Sequence, residues 1–314
     1  MAGIIKSGTR SGEMDYKTPV ETYQGKVREV TIGTGAKAVK IGGENSLPFH
    51  SFEGASENRT RVALEMYDVP PTDWTETVRT YYKDVISDPV SWAKKCLDYG
   101  ADMICIRLAG TDPSGDNKSA EEAASIVKSI VSATGAPTIV YGTGNEARDV
   151  DVLTSVAEVC SGSKLLIGPA VKENYEAISK AVLQHGHSLI AQSPVDINLE
   201  KELNVKLLKT FPPERIVIDP LSSALGYGME YSFTIMERTK HIGVMFGDVT
   251  MQMPIIADIA GECWKTKKAK ENENQGVLWE STAAMSLLAA GANILVLRHP
   301  RSCKLIKDAI EDKM

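Results

Sequence analysis

The sequence predicts a (β/α)8 TIM barrel that carries an N-terminal β-hairpin extension. Three observations lead there. Eight short apolar runs recur along the chain, longer segments with helical spacing separate them, and a motif at Gly100–Arg107 returns at Gly291–Arg298. Runs this short and continuous fit strands buried on both faces. Alternation of such strands with helices is the pattern of a parallel α/β sheet. A chain of 314 residues is long enough for one barrel of about 250 residues plus an extension.

Residues 1–60 are assigned to the extension, as part of the same domain as the barrel at 61–314. The first 25 residues are polar, are expected to be mobile, and lack the apolar stretch of a secretory signal. Lys26–Ile32 and Ala38–Ile41 alternate around Gly33-Thr34-Gly35, a β-hairpin with a glycine-rich turn, placed to close the bottom of the barrel. Leu47–Gly54, reading LPFHSFEG, leads into the first strand.

The expected barrel strands are Val62–Met66, Met103–Leu108, Thr138–Tyr141, Leu165–Ile167, Ser188–Ala191, Ile216–Asp219, Ile242–Phe246 and Ile294–Leu297. Ser119 opens a helix in capping-box style, with Glu122 three places on. Ala123, Ile126, Val127, Ile130 and Val131 then repeat at helical spacing. Asn174–His185 and Asp196–Phe211 read as helices, the second stopped by Pro212-Pro213. Trp279–Ala290 is apolar along most of its length, so it should be well buried. In both copies of the repeated motif a helix ends at Gly-Ala, a strand follows, and an arginine stands at its end.

Composition narrows the function. Lys and Arg number 35 against 41 Asp and Glu, a net charge of −6 with no long basic run, which argues against a general nucleic-acid binder. No apolar run approaches the roughly 18 residues of a membrane span, so a cytoplasmic location is expected. Cys96, Cys105, Cys160, Cys263 and Cys303 form no C-x2-C pair, so they read as free thiols rather than ligands of an intrinsic cluster or zinc.

Barrel chemistry sits at the C-terminal ends of the strands. Glu65, Arg107, Thr111-Asp112, Gly142-Thr143-Gly144-Asn145, Gly168, Gln192, Asp196, Asn198, Asp219, Gly226-Tyr227-Gly228, Gly247-Asp248 and Arg298-His299 are expected on that rim. Backbone amides at Gly142–Asn145 suit an anion, and a tight βα turn needing φ > 0 is the alternative reading. The rim acids either serve a ligand, cap helices, or pair with Arg107 or Arg298. His185 and His187 fit a helix C-terminus better than a metal, His50 lies in the extension, and only His299 is expected near the rim. No catalytic or metal-binding residue is predicted. In the loop of Asp219–Arg238, Gly226 and Gly228 let backbone approach a ligand closely. Tyr227 and Tyr231 offer flat faces to a large planar ligand or a partner, or else pack the loop onto the rim.

LPFHSFEG (47–54), GADMICIRLAGTDP (100–113), YGTGNEARD (141–149), SPVDINLEKELN (193–204), DPLSSALGYGMEYSFTIMER (219–238) and GVLWESTAAMSLLAAGANILVLRHP (276–300) span nearly the whole chain. Together they closely resemble the small subunit of the corrinoid/iron–sulfur protein, the methyl carrier of the reductive acetyl-CoA pathway. Its archaeal equivalent is the delta subunit of acetyl-CoA decarbonylase/synthase. The resemblance implies a (β/α)8 barrel paired with a larger subunit that carries a [4Fe–4S] cluster and a corrinoid-binding domain. It implies that the barrel mouth covers the corrinoid (cobalamin). Methyl groups would arrive from a methyl-tetrahydropterin methyltransferase and leave to acetyl-CoA synthase. The candidate cofactor-binding residues are Gly226, Tyr227, Gly228, Asp196, Asn198, Gly142, Thr143, Asn145 and Arg107. Two other readings stand beside this one. A self-sufficient methyl-pterin methyltransferase requires Asp196, Asn198 and Asp219 to converge in one pterin-sized pocket. A purely structural subunit requires that Tyr227 and Gly228 leave the corrinoid untouched.

Overall fold

The computed structural model describes residues 19–54, 56 and 58–311, so the polar segment before residue 19 lies outside the described residues. Strands β1 (Val30–Ile32) and β2 (Val39–Ile41) form the antiparallel hairpin, with a short 3-10 turn at Gly35–Lys37. The barrel strands follow: β3 (Arg61–Tyr67), β4 (Met103–Arg107), β5 (Thr138–Tyr141), β6 (Leu166–Ala170), β7 (Ser188–Gln192), β8 (Ile216–Asp219), β9 (Ile256–Asp258) and β10 (Ile294–Leu297). They pair in parallel in the order β8-β7-β6-β5-β4-β3-β10-β9. A bridge from Ile218 to Ile255 joins the two ends and closes the ring.

The helices jacket that ring. They are α1 (Glu76–Arg79), α2 (Pro89–Asp98), α3 (Ala120–Thr134), α4 (Glu146–Val159), α5 (Tyr175–Gln184), α6 (Ile197–Leu207), α7 (Met229–Lys240), α8 (Ala260–Lys265), α9 (Lys267–Glu271), α10 (Glu273–Ala289) and α11 (Pro300–Glu311). Their boundaries follow local chemistry. The capping box of α3 forms in both directions, and Gly135 ends the helix at φ 60°. Asp88, Asn145 and Asp196 cap α2, α4 and α6 by accepting backbone N–H groups.

Two apolar clusters hold the architecture. One lies between the strands and the helices. The other fills the barrel interior, where Ala63, Met103, Cys105, Ile139, Leu166, Ile190, Val217, Ile256 and Val296 meet. Val30, Ile32, Val39 and Ile41 of the hairpin join this inner cluster. Gly33 N–H donates to the Lys164 carbonyl and Arg28 N–H to that of Gln252, both just ahead of strands. The hairpin therefore plugs the N-terminal end of the barrel and leaves the other end as its mouth.

One expected strand is wrong. Ile242–Phe246 is not the seventh strand, because His241–Met245 continues α7 as a π-helical turn. A short apolar run does not by its period distinguish a strand from a buried helical turn. The true strand, β9, has three residues and ends on Asp258, so its apolar run is short and cut by a charge. Gly247-Asp248 consequently leaves the mouth. Asp248 caps the following 3-10 turn and pairs with Lys201 at 2.6 Å.

Candidate functional site: the barrel mouth

Side chains along a strand alternate between its faces. Stepping two residues beyond the inner cluster therefore predicts a final inward layer, one residue per strand. The layer is Glu65, Arg107, Tyr141, Gly168, Gln192, Asp219, Asp258 and Arg298. Sequence reading placed six of these at the rim. It missed the part of Tyr141 because that ring closes an apolar run, and it missed Asp258 because the seventh strand was misplaced.

The layer is a polar network, in which Asp258 Oδ1 is left without a hydrogen-bond partner. Arg107 donates from Nε to Glu65 and from Nη2 to Asp258. Arg298 Nε donates to the other oxygen of Glu65 at 2.7 Å. The two arginines of the repeated motif thus meet on one buried carboxylate. Arg107 also stacks on Tyr141 at 4.9 Å, and Arg298 on Trp74 at 4.5 Å. Burial alone would raise the Glu65 carboxyl, but the Arg298 and Arg107 guanidiniums outweigh it and hold it below the usual range. Asp219, 1% exposed, accepts from the Tyr141 hydroxyl at 2.9 Å, Gln192 Nε2 at 2.8 Å and Leu221 N–H at 3.0 Å. Burial and the nearby Asp258 carboxylate push it up to about 6.

Several candidate residues already have structural tasks. The anion cradle at Gly142–Asn145 is filled by the protein's own carboxylate. Asp149 accepts from Thr143 N–H at 2.8 Å, the Thr143 hydroxyl at 3.1 Å and Gly144 N–H at 2.9 Å. Asn145 caps α4 through Arg148 N–H. A β-carbon at Gly142 would lie 2.3 Å from Asp149 Oδ1, so this glycine admits the carboxylate that organises the turn. Gly142→Ala is expected to displace Asp149 and to cost about 1–3 kcal/mol, read as a lower urea midpoint.

Asp196, Asn198 and Asp219 do not converge. Asp219 is sealed in the layer, Asp196 caps α6 through Asn198 and Leu199 N–H, and the Asn198 side chain is exposed. His299 is buried, stacked on Trp264 at 5.3 Å, with Nδ1 accepting from Arg301 N–H. Burial lowers its pKa to about 4. His187 is buried at the opposite end, where its Nδ1 accepts from Leu165 N–H. All five cysteines are buried and free, and no group of three His, Cys, Asp or Glu among the described residues is placed to hold a metal ion.

Beside this layer, in the loop after β8, two tyrosine rings and a leucine face solvent. Tyr227 is 63% exposed and Tyr231 66%. Gly226 and Gly228 flank Tyr227 at φ 75° and 101°, conformations that favour glycine, and no atom lies within 4 Å of where a Gly226 β-carbon would stand. Leu221, in the same loop, is held at φ 60° and is 40% exposed. A bulky residue in that region is strained, and such strain concentrates at functional sites. Its N–H bond to Asp219 ties the loop to the layer beneath. Beside Leu221 opens a groove of about 360 Å³ with Val171, Pro194, Leu199 and Leu203 in its walls and Gln192 and Ser193 among its polar lining. None of Asp196, Asn198 and Asp219 lines it.

Known proteins resemble this chain to different depths. Among solved structures, dihydropteroate synthase from Thermus thermophilus superposes with a TM-score of 0.56 at 14% identity, covering 83% of this chain and 97% of that one. Dihydropteroate synthase from Xanthomonas albilineans gives 0.54 at 15% identity over 83% and 94% of the two chains. Those likenesses show a common barrel. Sequence similarity goes further. The acetyl-CoA decarbonylase/synthase complex subunit delta of Archaeoglobus fulgidus is 33% identical over 92% of this chain and 68% of its own length. The same subunit of Methanocaldococcus jannaschii is 35% identical over 94% and 76%. The family model described as CO dehydrogenase/acetyl-CoA synthase delta subunit matches residues 29–307. On that match and those identities, the chain belongs to the family of CO dehydrogenase/acetyl-CoA synthase delta subunits.

Proposed function

We propose that this chain is the subunit of a cytoplasmic methyl-carrying complex that covers the face of a corrinoid held by a larger, [4Fe–4S]-bearing partner. The donor side would be a methyl-tetrahydropterin methyltransferase and the acceptor side acetyl-CoA synthase. Family membership supports a place in the complex. No helix among the described residues is long and apolar enough to cross a membrane. The observation that carries the reading is the mouth itself. Its innermost charges are paired with one another, while the loop beside them presents the exposed side chains of Tyr227, Tyr231 and Leu221.

A corrinoid supplies the reactive cobalt, and the protein around it sets orientation and access. The residues here fit a covering role. The exposed Tyr227 ring and the glycine backbone on either side admit a planar macrocycle closely, and Leu221 adds an apolar edge. Glu65 and Asp219 are buried and held by partners within the layer, and His299 is buried. The alternative, a methyl-pterin transferase complete in one chain, loses its main support because Asp196, Asn198 and Asp219 stay apart. Asp196 caps α6 and Arg107 is engaged within the layer, so these two act through the scaffold, while the Asn198 side chain is exposed at the start of α6.

Tyr227→Ala and Gly228→Val test the cap in the assembled complex. Each is expected to lower cobalt content after gel filtration, and Gly228→Val more so, since valine also disfavours φ 101°. Unchanged cobalt content and an unchanged visible spectrum in both variants would support a purely structural subunit instead.

A further inference from the structure

The groove beside Leu221 contains an unspent polar atom. Ser193 is 4% exposed, its Oγ has no hydrogen-bond partner, and the residue lines the groove. A buried hydroxyl left unpaired is costly, so such an atom points to a group that arrives from outside. Next to it, Gln192 gives Nε2 to Asp219, which fixes its carboxamide and leaves its oxygen as an acceptor. The apolar residues Val171, Leu199, Leu203 and Leu221 form walls around this pair.

The charges at the edge decide what kind of head group fits. Glu146, Glu173 and Glu202 line the groove together with Lys172 and Lys206. Lys206 is already paired with Glu202 at 2.6 Å, and Lys172 stands 4.0 Å from the same carboxylate. Three carboxylates against two ammoniums disfavour an anionic guest. A serine hydroxyl with an amide oxygen suits a neutral group that both donates and accepts, on a short aliphatic stem. A primary carboxamide is that group. A corrin ring carries several at its edge, around an apolar plane. The volume of about 360 Å³ admits one such arm, and the Leu221 wall belongs to the loop that bears Tyr227.

We propose that this groove receives one carboxamide arm of the corrin ring, with Ser193 and Gln192 reading the amide; this rests on the reading of the Tyr227 loop as a corrinoid cap. The binding is non-covalent, and its specificity comes from the amide being neutral and able to donate.

The test uses the assembled complex, reconstituted with cobalamin or with each cobalamin monocarboxylic acid in which one carboxamide has been hydrolysed. Retention is read as cobalt per complex after gel filtration across a concentration series. One acid is expected to bind about tenfold more weakly than cobalamin to the unaltered complex. Leu199→Trp, made on the 36% exposed helix face that lines the groove, is expected to weaken cobalamin about tenfold and to abolish the preference. Ser193→Ala should reduce the preference several-fold. Equal retention of every acid and cobalamin by the unaltered complex would overturn the proposal even if Leu199→Trp folded poorly. If that series is flat while Tyr227→Ala still loses cobalt, the groove assignment fails and the cap stands. If Tyr227→Ala also keeps its cobalt, both fail.

Discussion

Glu65→Ala is expected to destabilise the protein by about 3–5 kcal/mol, the cost of leaving buried guanidinium groups without their shared partner. Glu65 is fully buried and receives Arg107 on one oxygen and Arg298 on the other. Arg107 keeps Asp258 after the change, but Arg298, 2% exposed, keeps no carboxylate, holding the Tyr67 hydroxyl at 3.3 Å and its contacts with the Trp74 and Tyr67 rings. The loss is therefore concentrated on Arg298. Pairing the change with Arg298→Met should recover part of it, because the uncompensated charge goes with its partner. Urea unfolding of the single and double variants measures both. Equal losses in the two, or a single-variant loss below about 1 kcal/mol, would show that the mouth network does not hold the strand ends together.

Glu200→Gln is expected to stabilise the protein increasingly as pH rises. Glu200 sits on α6 with 2% exposure, accepts from the Thr239 hydroxyl at 2.9 Å on one oxygen, and has no partner for the other. Burial, with a smaller contribution from Asp219, pushes its carboxyl up to about 8. In the unfolded chain the same group titrates near 4.3. Between those values the folded protein keeps a proton that the unfolded chain releases. Stability from this site is thus complete below about pH 4, falls as pH rises, and levels off above about pH 8. Glutamine is neutral throughout and keeps the acceptor for Thr239. Its gain over the unaltered protein should be small near pH 5 and on the order of 2–4 kcal/mol near pH 8. Parallel stability-versus-pH curves would show that Glu200 is ionised in the fold.

Much of this architecture was legible in the residues. Seven of the eight barrel strands stand where continuous apolar runs place them, because strands covered on both faces need apolar side chains throughout. The hairpin at the base and the capping box at Ser119 were equally readable, since both depend on local chemistry. The seventh strand was not. Ile242–Phe246 has the composition of a strand, yet it extends α7, while β9 owes its existence to neighbours on either side rather than to its own three residues. The mouth was legible by type and not by contact. Rim arginines and acids were foreseen, but Arg107 and Arg298 meet on Glu65 only because eight strands close into a ring. Asp149 filling the Gly142–Gly144 turn depends on the first turn of α4 reaching back over the loop. The Tyr227 loop, by contrast, kept the exposed character its glycines and tyrosines suggest.

The central claim is that this chain covers chemistry performed on another subunit's corrinoid. The measurement that tests it most directly compares the isolated chain with the assembled complex. Each is assayed for cobalt and for methyl transfer from methyl-tetrahydrofolate to added cobalamin. The account expects cobalt in the complex, none in the chain alone, and no acceleration of transfer by the chain alone. Binding of methyl-tetrahydrofolate by the isolated chain, with methylation of free cobalamin at an enzymatic rate, would contradict it.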